Sequence, residues 1–344
     1  TPTAKETGPV RKDKYVLIFY HIWHGDFMAP TVSSDPQAPR NVSRIIRENE
    51  DWHTNTKLWG PNISYHYWGE PLFGYYDLRT DDYVIRKHAQ MLTDAGVDAI
   101  VIDYTNFMAG GRNDRSYTKD ALTNLLDVFN EVRNEGGDTP QVVIMTTWDY
   151  TIADDAMRLF YEDFYLNPIY EELWFRWEGK PLALAWDHDM DEELKEYFTF
   201  RRPYPFSTPV EEPNTWPWLS AYPQQKAYTD TNPNEMVSVG VAGTHSYTPQ
   251  GKVVGGGMSA TDEEGNFIAG GRSSTSYDKL LSKNPLSPDY HSERGNAFQE
   301  NFDRAISLNP DIIFITGWNE WIAARFTNPP DWANIDEVPP YGVF

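Results

Sequence analysis

The sequence predicts a single (β/α)8 barrel with long loops after its strands, and three observations lead to this fold class. Short apolar, β-branched runs alternate with segments of helical period along the chain, the order that a parallel sheet covered by helices requires. The runs number seven or eight, and no GxGxxG motif follows the first of them, which favours a barrel over a doubly wound sheet. No domain boundary or internal repeat divides the 344 residues. We therefore expect residues 1–344 to form one domain, with residues 1–14 as an extended tail.

The predicted strands are apolar along nearly their whole length, as expected where helices and a barrel interior bury both faces. They lie at residues 15–20, 98–106, 142–147, 181–186, 236–242 and 312–316, with a further candidate at 216–222. The predicted helices carry apolar residues at helical spacing and end at glycine or before proline. They lie at residues 81–95, 118–135, 154–164 and 292–308.

Two stretches lack a clear period. Residues 29–80 contain Pro, Asn, Trp and Tyr without a helix or strand pattern, and a loop of that length in a compact domain is usually functional. Residues 251–288 are rich in Gly and Ser but lack the Lys-Ser/Thr pair of a phosphate-binding loop. We predict a long surface or lid loop there.

Acids, imidazoles and indoles follow the predicted strands. Glu320 comes just after residues 312–316 and lies between Trp318 and Trp321, where desolvation can raise its pKa toward the range that a general acid or base needs. Asp103 and Asp149 leave two other strands. Because the carboxyl ends of barrel strands form one face, we predict that these three carboxylates meet there as catalytic groups. The side chains predicted to bind substrate around them are His21, Trp23, Tyr67, Trp68, Glu70, Tyr104, Asn106, Trp148, Asp187, His245, Trp318, Asn319 and Trp321.

This set of residues is typical of a glycosidase. Two carboxyl groups across a sugar-sugar bond supply a proton donor and a base or nucleophile, and the 13 Trp, 21 Tyr and 17 Phe include rings that could stack on sugars. A structural interpretation stays open for each residue alone. The indoles could be core side chains, a lone histidine could be a hydrogen-bonded core residue, and an aspartate at a strand end could cap a helix or pair with arginine.

Composition excludes several other classes. The 29 Lys and Arg against 51 Asp and Glu give a net charge of -22, which repels nucleic acids and anionic membranes. No apolar run is long enough to span a membrane. The absence of cysteine excludes disulfides, thiolate metal sites and cysteine nucleophiles. We predict no cofactor, a carbohydrate as the partner, and an extracytoplasmic location in keeping with a polar start typical of a mature N-terminus.

The motif Trp318-Asn319-Glu320-Trp321 resembles that of glycoside hydrolase family 99 and its relatives, which include a domain of polysaccharide-biosynthesis loci and, more distantly, family 71. The run at residues 67–106, with an aspartate after an apolar strand and then Thr-Asn, is also similar to the opening of this group. The resemblance implies a (β/α)8 barrel and retaining or inverting hydrolysis of glycans, often at internal α-linkages.

Carried over by position, the resemblance makes Glu320 the base that takes a proton from the substrate's own 2-hydroxyl group. The family's general acid is a glutamate three residues further on, where this chain has Ala323. The acid must then come from another strand end or loop, with Asp103 and Asp149 favoured over Asp187 and Glu70 because they leave clean strands.

Two rival functions stay open from the sequence. Ala323 and the many aromatic residues are compatible with a barrel that binds carbohydrate without cleaving it. Histidines and aspartates near residues 21–24 and 187–189 could instead serve a metal-dependent hydrolase, although no HExxH motif occurs.

Overall fold

The computed structural model describes residues 13–24, 35, 37, 39–62, 64–67, 70–105, 116–146, 150–205, 209–220, 223–240, 246–247, 253–254 and 296–327. Within these residues the predicted barrel is present. Eight strands run parallel to one another in its wall. They are β1 (Tyr15–Tyr20), β4 (Ala99–Tyr104), β5 (Gln141–Thr146), β7 (Lys180–Leu184), β8 (Thr199–Pro203), β9 (Thr215–Trp216), β11 (Met236–Gly240) and β14 (Ile312–Thr316).

The order of these strands around the wall is β11-β14-β1-β4-β5-β7-β8-β9. A short strand, β10 (Lys226–Ala227), pairs antiparallel with β11. The remaining gap is bridged next to β9, where the Asn214 N–H donates to the carbonyl oxygen of Tyr228 at 2.8 Å. The sheet is therefore nearly closed, which confirms the predicted (β/α)8 fold class.

Helices connect most of the strands. They are α1 (Val42–Glu48), α2 (Asp82–Asp94), α3 (Ser116–Asn134), α4 (Tyr150–Phe160), α5 (Glu192–Tyr197) and α6 (Asn296–Leu308). A π-helical turn at Tyr161–Tyr165 continues α4, and 3-10 turns cover Thr56–Trp59 and Pro168–Leu173. The four helices predicted from apolar spacing correspond to α2, α3, α4 and α6. Gly96 follows α2 with φ 78°, a conformation that favours glycine and stops the helix.

The strands divide their side chains between two cores. On β1, Leu17 and Phe19 point into the barrel, whereas Ile18 and Tyr20 face the helices. β4 alternates in the same way from Ala99 onward. Both faces of the wall are thus buried in apolar packing, which explains why the strands are apolar along their length.

The unpatterned stretch at residues 29–80 contains real elements. β2 (Arg40–Asn41) pairs parallel with β3 (Ser64–Tyr67), and β3 pairs antiparallel with β15 (Ile322–Arg325). This small sheet joins the loop after β1 to the segment that follows Glu320. These strands are two to four residues long and too short to show a period.

Strand β8 was not predicted, because Arg201, Arg202 and Pro203 interrupt its apolar pattern. The short hairpin strand β6 (Arg176–Trp177), which pairs with β7, was also not predicted. The predicted surface or lid loop at 251–288 lies outside the described residues, except for β13 (Val253–Val254), which pairs with β12 (Ser246–Tyr247). None of the helices in the described part of the chain has the length and apolarity that a membrane crossing requires.

Candidate active site

The inward-facing rows of two neighbouring strands end in polar side chains. Following Phe19, the next inward position beyond β1 is His21, and following Val101 the next inward position of β4 is Asp103. Because β1 and β4 pair in parallel, their carboxyl ends bring these two residues together. His21 Nδ1 lies 3.6 Å from Asp103 Oδ2, and both side chains are buried. The top of the barrel therefore carries an imidazole beside a carboxylate.

Asp103 is held in place by its own chain. Its Oδ1 accepts hydrogen bonds from the N–H and the hydroxyl of Thr105, at 2.9 and 2.7 Å. The indole N–H of Trp23 donates to the carbonyl oxygen of Asp103 at 3.2 Å. One carboxylate oxygen is thus fixed, while the other faces His21.

Glu320 occupies an unusual position at the end of β14. Many protein atoms surround its carboxylate, yet the residue is exposed to solvent. Among the residues that the structure describes, none donates a hydrogen bond to it. Desolvation raises the pKa of Glu320; His21 lowers this pKa in part, and the negative charge of Asp103 raises it. Such a carboxyl group can exchange protons nearer to neutrality than an ordinary one.

Asn319 ties the Glu320 turn to the end of β1. Its Oδ1 accepts from the His21 N–H at 2.7 Å, and its Nδ2 donates to the His21 carbonyl oxygen at 2.8 Å. The ring Nε2 of His24 lies 2.9 Å from the Asn319 carbonyl oxygen. The side-chain amide thereby pairs with His21 as a strand backbone would, and it fixes the turn on which Glu320 stands. We predicted that Asn319 contacts substrate. Its side chain could do so only by breaking these buried hydrogen bonds to the His21 backbone.

The fold of this chain resembles that of a family 99 glycoside hydrolase. Two solved structures of the GH99 endo-alpha-mannosidase from Bacteroides thetaiotaomicron, one in complex with BIS-TRIS-propane, are similar to it at 14% identity. The matches cover 91% of this chain and 85% and 86% of those chains, with TM-scores of 0.45 and 0.46. No family model matches the sequence, and no curated protein is similar to it.

The Trp318–Trp321 motif led us to expect a likeness to this family, and its residues can be placed in the structure. The position of that family's acid is Ala323, which lies in β15 opposite His66 of β3. Burial lowers the pKa of His66 to about 4. This position therefore belongs to the small sheet and carries no carboxyl group.

The two indoles of the motif pack against the protein. Trp318 lies edge-on to His88, with ring centres 4.8 Å apart, and also contacts Tyr20. Trp321 stacks on His24 at 4.5 Å and 21°. The sequence left open that both indoles are packing residues. These contacts fit that interpretation better than the predicted sugar-binding role.

The neighbouring histidines are part of this packing. Burial lowers the pKa of His24 well below its usual value, and it lowers that of His88 to about 4. The Tyr20 hydroxyl and His88 Nδ1 are 2.8 Å apart. Burial thus disfavours the charged form of both imidazoles, which pack against Trp321 and Trp318.

Three other predicted site residues lie in different settings. Tyr104 points outward and packs on Phe160 at 4.6 Å, so the predicted contact with substrate is not supported. Asp187 accepts from Arg202 Nε at 2.7 Å, the arginine pairing that the sequence left open. Glu70 is exposed on the loop before α2, next to Gly74.

The remaining predicted residues divide into two groups. Tyr67 lies in β3, with its ring 5.0 Å from that of Trp321. Trp68, Asn106, Trp148, Asp149 and His245 lie outside the described residues.

Sequence reasoning missed Tyr75, Tyr76 and Thr105. Thr105 was visible as part of the Thr-Asn pair after β4, but its hydrogen bonds to Asp103 depend on the local turn. Tyr75 and Tyr76 sit in the long stretch without a period, where their tyrosine pair was the sole signal. In the part of the chain that the structure describes, no group of three His, Asp or Glu side chains is placed to hold a metal ion.

Proposed function

We propose that this protein is a glycoside hydrolase in which Glu320 performs acid/base chemistry on a glycosidic bond. The observation that carries the proposal is the Glu320 carboxylate itself. The residue is exposed to solvent although many protein atoms surround its carboxylate, which has no hydrogen-bond partner among the described residues, and desolvation is the chief cause of its raised pKa. A structural carboxylate in such a position would be paired.

Asp103 is the second carboxylate of the proposed mechanism. It lies at the carboxyl end of β4, its charge acts on Glu320, and His21 lies beside it. Its fixed orientation suits a group that donates or accepts one proton at a defined place. A glycosidase needs two such groups on opposite sides of the scissile bond. Asp149, predicted with it, stays a candidate for the same role.

The proposed substrate is a glycan or polysaccharide. The endo-alpha-mannosidase of family 99, by its name, cleaves internal α-mannosidic bonds, and we propose α-linked glycans as the first class to test. Incubating the protein with α-mannan, dextran, amylose and polygalacturonate, and measuring new reducing ends, identifies the polymer that it cleaves.

The decisive variant is Glu320→Gln, which removes the charge and keeps the shape. We expect hydrolysis to fall by about a hundredfold to ten-thousandfold, the usual contribution of a general acid or base. Glu192→Gln is the matched control, because Glu192 lies on α5 with a side chain 85% exposed, and it should retain full activity. Unchanged hydrolysis by Glu320→Gln, with normal melting, would contradict the proposal.

A carbohydrate-binding barrel without catalysis is the second candidate, favoured by Ala323 in β15. It predicts that the wild-type protein and Glu320→Gln bind the same polysaccharide with no product after long incubation. If the wild-type protein forms product and Glu320→Gln does not, the protein is a hydrolase.

A further inference from the structure

The loop between β3 and α2 presents a tyrosine ring that is held firmly but left uncovered. Tyr75 stacks on Tyr67, with ring centres 4.5 Å apart and planes 21° apart, and it contacts Trp321 at 5.5 Å. These are its ring contacts within the described residues, and 38% of the residue is exposed. One face is therefore supported by the Tyr67 ring, and more than a third of the residue is exposed to solvent.

The hydroxyl end of this ring is anchored as well. The Asn41 side-chain amide donates a hydrogen bond to the Tyr75 hydroxyl. Asn41 is itself fixed, because its Oδ1 accepts from the Arg44 N–H at 2.8 Å and caps α1. A ring held at both ends loses little conformational entropy when a ligand stacks on it.

A carboxylate lies beside the open ring. The Gly74 N–H donates to the Pro71 carbonyl oxygen at 3.0 Å, and Gly74 has φ +75°, which favours glycine. This turn folds Glu70 back, so that its Oε1 lies 4.0 Å from where a Gly74 Cβ would stand. Burial raises the pKa of Tyr75, and the nearby charge of Glu70 raises it too. Glu70 is exposed and, in the described part of the chain, forms no ion pair.

The place of this pair relative to Glu320 follows from the barrel. Tyr75 lies in the connection after β1, and Glu320 follows β14, the neighbouring strand. From Tyr75, successive ring contacts lead through Trp321 and His24 to His21, at 5.5, 4.5 and 5.1 Å. The two positions share one end of the barrel, and two rings, Trp321 and His24, lie between Tyr75 and His21.

We propose that Tyr75 and Glu70 form a subsite that binds a neutral sugar residue of a longer glycan, with the sugar's C–H face on the Tyr75 ring. A hydroxyl group of that sugar donates a hydrogen bond to Glu70. Aromatic faces and charged acceptors are the groups that hold carbohydrates in this way. An acidic sugar would be repelled by Glu70 and by the carboxylates of Glu320 and Asp103. The inference rests on the proposed function, and it makes the substrate an extended, uncharged chain.

The test measures binding in the Glu320→Gln background, which prevents turnover. Affinity electrophoresis through α-mannan, dextran, amylose or polygalacturonate gives a dissociation constant for each polymer. We expect a neutral polymer to be retained. Adding Tyr75→Leu should weaken its binding about tenfold, whereas Tyr75→Trp, which restores a flat ring, should keep it.

Tyr83→Leu is the matched control. Tyr83 is 63% exposed on α2, and its ring lies beside Phe73 and Lys87 rather than Tyr67 or Trp321. This variant should bind as the parent does. Glu70→Gln should weaken the neutral polymer less than Tyr75→Leu and should improve any residual binding of polygalacturonate.

Equal affinity of Tyr75→Leu and its parent would overturn the subsite, as would tighter binding of polygalacturonate than of every neutral polymer, or no retention by any of them. Loss of affinity in Tyr75→Leu that Tyr75→Trp does not restore would indicate a structural role and would also overturn it. These outcomes are separate from the fate of the proposed function, which depends on product formation by the wild-type protein and Glu320→Gln.

Discussion

Charged side chains at the two ends of the barrel differ in how many hydrogen-bond partners they have. At the floor, Glu235 just before β11 accepts two hydrogen bonds from Arg201, both at 2.7 Å. It accepts two more from the indole N–H groups of Trp177 and Trp216, at 2.8 and 2.9 Å. Burial alone would raise the pKa of Glu235, but Arg201 and the indoles lower it below its usual value. Each oxygen of the Glu235 carboxylate therefore accepts two hydrogen bonds.

At the opposite end, polar groups are left without partners. Among the described residues, neither ring nitrogen of the buried His21 has a hydrogen-bond partner, and none donates a hydrogen bond to Glu320. The pKa of Glu320 is raised, whereas that of Glu235 is lowered. A saturated network holds the fold together, and an unsaturated one has bonding capacity left for a ligand.

The largest expected effect concerns the floor. Arg201→Met would leave the Glu235 carboxylate buried and unpaired, which should cost about 3 to 5 kcal/mol of unfolding free energy. Urea unfolding followed by circular dichroism measures this loss. The double variant Arg201→Met/Glu235→Leu should recover most of the stability, since it removes both charges. A single variant as stable as the wild type would show that the floor network is not the stabilising end.

The next effect concerns the position of Glu320. Asn319→Ala removes both hydrogen bonds to the His21 backbone, and we expect kcat on a cleaved polysaccharide to fall about a hundredfold, because small displacements of a catalytic group are costly. Asn319→Asp should fall similarly, since a carboxylate cannot donate to the His21 carbonyl oxygen.

Asn232→Ala serves as the control at the floor, where Asn232 Nδ2 donates to Asp311 at 2.7 Å. It should leave kcat unchanged while it lowers the melting temperature slightly. Equal losses of kcat in the Asn319 and Asn232 variants would indicate general destabilisation rather than positioning.

The smallest expected effect tests the direction of the Glu320 pKa shift. A carboxyl group whose folded pKa lies above its unfolded value penalises the folded state once pH exceeds that unfolded value, and the penalty is complete above the folded pKa. Glu320→Gln removes this penalty, so it should melt at a higher temperature than the wild type at pH 7. The gain should vanish as pH falls below about 4.5, the ordinary value of the group. Thermal melts across this range measure it, and a destabilised variant at pH 7 would contradict the raised pKa.

Part of the architecture could be predicted because it depends on local pattern. β1 and β14 have the predicted bounds, and α2 and α3 begin and end within two residues of prediction. Strand β8 was missed because Arg201 is a charged residue inside a barrel. Its burial is possible through Glu235, 34 positions away in the sequence, and a local pattern cannot show such compensation.

The sequence by itself determined that buried strands alternate with helices and that polar groups, Glu320 and Asp103 among them, follow those strands, because apolar periodicity and strand ends are local properties. Tertiary structure alone decided which of those groups meet. It placed His21 beside Asp103, committed Asn319 to the backbone of His21, covered Trp321 with His24, and left Tyr75 open at the rim. The reason is physical: hydrogen bonding, desolvation and ring stacking depend on neighbours that closure of the barrel brings together from distant parts of the chain.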